Sequence, residues 1–223
     1  MDHLDLRKEI VQTCRRMSAS GLVAGTEGNV SARTPEGNVL ITPSGLDYAD
    51  TEPEDVVVVS LDGETARRSL RTIRRDTHAH GYLPLAARDT RYSAHPRPLL
   101  DDPSLPQLGD TPVHYLLAVL SDEGRVPVAR YATFGTEKLA GSAAEAIGRA
   151  HRTCVLRNHG TMAVGATVSE AYSRTELLEQ LAEIYYRART AGERVVLTAD
   201  EMAEVAATIH DYGQSKPLAV RDS

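Results

Sequence analysis

Two short segments near the start of the chain carry the residue types that hold an anion. Gly25-Thr26-Glu27-Gly28-Asn29-Val30-Ser31 places two glycines, hydroxyls and an amide in one turn. Glycine lets backbone N–H groups come close to a ligand, and such a nest suits phosphate. Thr42-Pro43-Ser44-Gly45 adds another hydroxyl and another flexible glycine after the next apolar stretch, so both loops could close on one anion. Taken singly, the first is also a plain hairpin entry and the second an ordinary proline turn. Asn158-His159-Gly160 offers a different chemistry. A histidine before a glycine at a strand end can reach into a cleft and ligate a metal through neutral imidazole, although a lone histidine is also commonly structural. Tyr115 and Tyr212 bring phenols that could donate a proton beside a developing enediolate; without that context they are amphipathic packing residues.

The elements that must position these groups are legible from local pattern. Leu6, Ile10, Cys14 and Met17 recur at helical spacing, predicting a helix over residues 4–20 that stops at Gly21. Two β-type stretches flank Gly37-Asn38 and predict a hairpin. Residues 56–61 read as a buried strand before an Asp62-Gly63 turn, and residues 113–121 as a helix. Residues 126–132 read as a strand and residues 136–151 as a helix begun by a Thr136 N-cap. Short strands at 154–157 and 161–164 flank Asn158-His159-Gly160. A long helix at 168–190 opens at Ser169 and ends near Gly192, and a last helix spans 199–211.

Composition narrows the classes. The chain has 223 residues, 41% of them hydrophobic, enough for one globular domain with a real core. Mixed helix and strand patterns place it in the α/β or α+β class. A net charge of -6 with no long basic run argues against nucleic acid as a partner. Two cysteines, Cys14 and Cys154, imply no disulfide framework and fit a reducing cytoplasm. The charged N-terminus and the lack of any long apolar run predict a soluble cytoplasmic protein with no membrane partner.

In order and spacing, the string G-T-x-G-N-V-S, I-T-P-S-G, V-H-Y, Y-A-T-F-G-T, N-H-G and a C-terminal Tyr-Gly resembles the class II aldolase/adducin head family, on its fuculose-phosphate aldolase side. The resemblance covers roughly residues 1–65 and 111–215. It implies one α/β domain over 1–223, three-layered, with a mostly antiparallel central sheet flanked by helices, assembled as a homotetramer with sites at subunit boundaries. It implies phosphate binding by Thr26, Gly28, Asn29, Ser44 and Gly45, and a zinc-like divalent ion with His159 as the last of its histidine ligands. The ion would polarise the ketose carbonyl, with Tyr115 and Tyr212 assisting proton transfer. The implied reaction is aldol cleavage of a sugar 1-phosphate to dihydroxyacetone phosphate and an aldehyde. The scaffold also admits a non-catalytic adducin-like or inactive relative, and a sugar-phosphate epimerase or dehydratase.

The pattern breaks between about residues 66 and 110. Arginines crowd 67–75, prolines crowd 84–112, and no periodicity holds, which is unusual inside a compact domain. The family's base carboxylate and its H-x-H ligand pair have no counterpart at the expected place. His78-Ala79-His80 is an H-x-H, but it lies well before His114 and lacks the family's apolar strand. Back-translating residues 83–98 and moving one base forward can restore CRSRPETRAIVHTHAP, a segment like the missing one. The expectation is a pair of compensating frame changes, an irregular segment in the chain as it stands, and weak metal binding through one matched ligand.

Overall fold

The computed structural model describes residues 2–60, 65–67, 112–192 and 195–209, with 65–67 described as backbone only. The segment at 66–110, apart from that short strand, and Tyr212, His78 and His80 lie outside the described residues, as do the expectations attached to them.

Helix α1 (Leu4–Ala19) forms where the apolar spacing predicts it, and Ile10, Cys14 and Met17 are fully buried. Its end is a Schellman motif. Leu22 N–H donates to Met17 O at 3.0 Å and Gly21 N–H to Ser18 O at 3.1 Å, with Gly21 left-handed at φ 72°. Arg7 is buried against the 53–56 connection, where its Nη1 donates to the Pro53 carbonyl at 3.1 Å and to that of Val56 at 2.5 Å. Carbonyl partners let a guanidinium sit inside the fold without an uncompensated charge.

The first sheet is antiparallel with order β1 (Ser31–Arg33), β2 (Val39–Ile41), β3 (Val57–Val59) and β4 (Thr65–Arg67). The hairpin register pairs Ser31 with Ile41 and Arg33 with Val39. Alternation gives the sheet two apolar faces. Ala32 and Leu40 join the core under α1, while Val39, Ile41, Val57 and Val59 cluster separately.

The second half contains α2 (Leu117–Leu120), β5 (Val128–Ala129), α3 (Glu137–Ile147), β6 (Thr153–Leu156) and β7 (Gly160–Ala163). It continues through α4 (Val168–Ala191) and α5 (Ala199–Ile209). The sheet order is β5-β6-β7, with β5 parallel to β6 and β6 antiparallel to β7. Cys154, Leu156 and Met162 pack on α3, and Val155 joins the cluster with Leu178, Leu181 and Tyr185 of α4. Helix, sheet and helix therefore stack as three layers. The described residues thus form a mixed α/β domain, mostly antiparallel, with two small sheets flanked by helices.

Several boundaries move for local reasons. The expected helix at 113–121 regularises only at Leu117–Leu120, after i→i+3 bonds from Leu117, Ala118 and Val119 to His114, Tyr115 and Leu116. The strand expected at 126–132 shortens to two residues, since Pro127 has no N–H to give. Thr167, not Ser169, caps α4 by accepting the Glu170 N–H at 3.1 Å. Thr136 caps α3 as expected, accepting from Leu139 N–H at 3.3 Å.

The end of α2 is latched to the start of β6. Ser121 and His151 form an antiparallel bridge, flanked by Arg152 N–H to Leu120 O at 2.8 Å and Asp122 N–H to Ala150 O at 2.9 Å. Inside it, Ser121 Oγ lies 2.7 Å from His151 Nδ1 and accepts the Glu123 N–H at 3.1 Å. Burial lowers the His151 pKa; Glu123 and Asp122 pull it back up, and Arg125 and Arg152 push it down. The folded chain therefore binds this proton more weakly than the unfolded chain. The latch is fully stable above the ordinary histidine value of about 6.5 and loses stability as pH falls below it. Melting temperature should fall between about pH 7.5 and pH 5.5, and His151→Gln should flatten part of that fall. An unchanged slope in the variant would assign the pH dependence to other groups.

Candidate active site

The two glycine loops meet at the open end of the β1–β2 hairpin. Thr42, just past β2, and Val30, just before β1, hold each other twice. Thr42 N–H donates to Val30 O at 3.0 Å, and Val30 N–H donates to Thr42 Oγ1 at 3.2 Å. Both residues and Pro43 are buried, so the loops rise from a fixed apolar base. Above it Thr26, Ser44 and Gly45 are exposed, and Gly28 and Asn29 are half-buried.

Backbone conformation explains the glycines here. Gly28 has φ 77° and Gly45 has φ 74°, in the left-handed region. A Cβ on Gly45 would meet nothing within 4 Å, so this glycine is required by its dihedral and not by crowding. The N–H groups of Thr26, Gly28, Ser44 and Gly45, and the hydroxyls of Thr26 and Ser44, have no partner among the described residues. Asn29 does have a partner. Neither loop contains Lys or Arg, so any attraction for an anion would rest on N–H and O–H dipoles.

His159 belongs to the second sheet. It closes the β6–β7 turn by donating its N–H to Leu156 O at 2.9 Å, with Asn158 left-handed at φ 56°. Asparagine tolerates that region better than most side chains. The ring of His159 is half-buried at the turn. Tyr115 stands before α2, 49% exposed, its ring stacked on His114 at 4.8 Å between centroids. Leu116 N–H donates to His114 Nδ1 at 3.2 Å, fixing the imidazole under the phenol. Thus the two glycine loops start from one tied base, while His159 and Tyr115 belong to the other half of the fold.

Metal binding needs a ligand set. Among the described residues no three His, Cys, Asp or Glu side chains converge, so the described residues do not by themselves fit the expected zinc ion. His159 stays a single candidate ligand. Two features have no signal in the local sequence. Thr42 belongs to a loop segment, yet its oxygen turns inward to tie the loops. Ser121 and His151 lie 30 residues apart, and no local pattern links them.

Thr42→Val keeps shape but leaves the buried Val30 N–H without an acceptor, which should cost about 1–3 kcal/mol of stability in urea unfolding. The same variant should weaken phosphate binding, and Thr42→Ser should restore both. Valine behaving like threonine would mean that the side-chain bond does not hold the loops.

Comparison with known proteins addresses the family and the fold. Residues 8–186 match the family model "Class II Aldolase and Adducin N-terminal domain". The 5-deoxy-D-ribulose 1-phosphate aldolase of Bacillus thuringiensis serovar kurstaki is 37% identical over 212 residues, covering 93% of this chain and 97% of the relative. The L-fuculose phosphate aldolase of Haemophilus influenzae is 30% identical over 217 residues, covering 96% of this chain and 97% of the relative. A solved L-fuculose 1-phosphate aldolase superposes with TM-score 0.81 at 29% identity, covering 92% of this chain and 96% of the other. Shared family, coverage along nearly the whole length and a common fold leave one conclusion: the chain belongs to the class II aldolase and adducin N-terminal domain family.

Proposed function

We propose that this chain cleaves a ketose 1-phosphate, of the 5-deoxyribulose or fuculose type, to dihydroxyacetone phosphate and an aldehyde. The observation that carries the reading is the pair of tied loops with four N–H groups free for an anion. Sugar-phosphate aldolases among its relatives support the reaction class. In such a cleavage the C3–C4 bond breaks. The proton leaves the C4 hydroxyl as C4 becomes the aldehyde carbonyl, and the electron pair stays with C3, which then takes up a proton. The loops hold the phosphate and so fix the other end of the sugar. Tyr115, exposed and propped by His114, is the proposed proton donor; Tyr212 is proposed as its companion.

The family in general depends on a divalent metal, and zinc with His159 as one ligand is part of the proposal. The same reading has the chain working as a homotetramer in the cytoplasm. No described helix is long and apolar enough to cross a membrane. Exposed Tyr131 and Phe134 would suit burial in such an assembly.

The test follows dihydroxyacetone phosphate by coupled reduction, with each candidate ketose 1-phosphate, with and without added zinc. Product should form from at least one of them. Tyr115→Phe should lower kcat by about 10²–10⁴-fold with KM little changed, the range of a lost general acid. No product from either sugar, with or without zinc, would overturn the reading. A chain that still bound phosphate would then be a non-catalytic relative.

A further inference from the structure

A groove of about 400 Å³ lies between α3, β5 and the turn that leads into β6. It sits at the start of β6, the end opposite the His159 turn, and shares no residue with the glycine loops. That volume is within the range of small-molecule sites and larger than a simple ion needs. Pro127, Val128 and Ala146 form its apolar wall.

Its charges do not balance. Arg125 pairs with Glu123 at 2.7 Å and Arg130 with Glu145, while Arg149, also lining the groove, has no partner among the described residues. Three guanidinium groups against two carboxylates leave a local positive excess on a chain whose net charge is -6. A second observation points the same way. Ser142 lines the groove, is only 9% exposed, and its hydroxyl makes no hydrogen bond among the described residues. Its oxygen opens onto the groove, where a ligand can use the hydrogen bond that the helix leaves unmade. His151 is equally buried at the same groove, its Nε2 3.7 Å from Glu123 Oε2 and too far for a good hydrogen bond.

We propose that this groove is a second ligand site, which takes the phosphate end of a small phosphorylated metabolite between Arg149 and Ser142. Guanidinium and hydroxyl donors match phosphate oxygens, and the apolar wall receives a short carbon chain. Glu123 and Glu145 oppose a dianion, and the unpaired Arg149 supplies the surplus that overcomes them. Because the site shares no residue with the glycine loops, occupation of the two is separable.

Hydrogen exchange by mass spectrometry tests it with glycerol 3-phosphate as the probe. Exchange should slow over residues 123–130 and 142–151 in the full chain. The same slowing should persist in Asn29→Ala, which disables the glycine loops. Arg149→Ala is an exposed change that spares the fold. It should raise the probe concentration required by about tenfold or more, the scale of a lost charge-assisted hydrogen bond. Ser142→Ala should shift it in the same direction, and glycerol alone should have no effect. The proposal is overturned if the groove peptides do not respond at millimolar probe, if the response vanishes in Asn29→Ala, or if Arg149→Ala leaves it unchanged.

Discussion

Helix α4 is the constraint on which the two halves of the fold depend. It spans 24 residues, and at 1.5 Å per residue it is about 36 Å long. Val168, Ala171 and Tyr172 near its start enter the core shared by α1 and the first sheet. Leu178, Leu181, Ala182 and Tyr185 further along enter the core shared by the second sheet, α2 and α5. Strands of two to four residues cannot form a stable sheet alone. The same helix contributes side chains to the core of each sheet, and burying one such large side chain is worth about 1.5–3 kcal/mol. The helix thereby ties the half of the fold that carries the glycine loops to the half that carries the His159 turn.

Within that frame the glycine loops combine a rigid base with a polar rim. Leu40 and Val30 are anchored in the core, and the Thr42–Val30 pair closes the hairpin just below the loops. Above that tie the chain turns through left-handed glycines and leaves its N–H groups unused. Backbone donors left without partners are rare where they are buried, and they persist here because these residues are open to solvent or ligand. Under the proposed function, donors of this kind would hold a phosphate without rearrangement, as a reaction at the far end of the sugar requires.

Much of this was legible in the sequence, and the reasons differ by element. Helix α1, the hairpin and the Thr136 cap depend on neighbours within a few residues, so periodicity and turn chemistry reveal them. The loop glycines were legible because few other residues serve a left-handed position. Contacts between distant residues were not. Arg7 reaches the 53–56 carbonyls, and Ser121 meets His151 across 30 residues, through tertiary packing that no local spacing encodes. The motif order identified the family because several short strings recur together in one order. Under the proposed function they say less about the aldehyde end of a substrate, where 5-deoxyribulose and fuculose phosphates differ.

The central claim is that the two tied loops hold the phosphate of the substrate. A crystal structure with inorganic phosphate bound tests it most directly. The expected result is phosphate within hydrogen-bond distance of the N–H groups of Thr26, Gly28, Ser44 and Gly45, with the Thr42–Val30 pair unchanged beneath it. Phosphate found elsewhere on the chain, with these four N–H groups facing solvent alone, would contradict it.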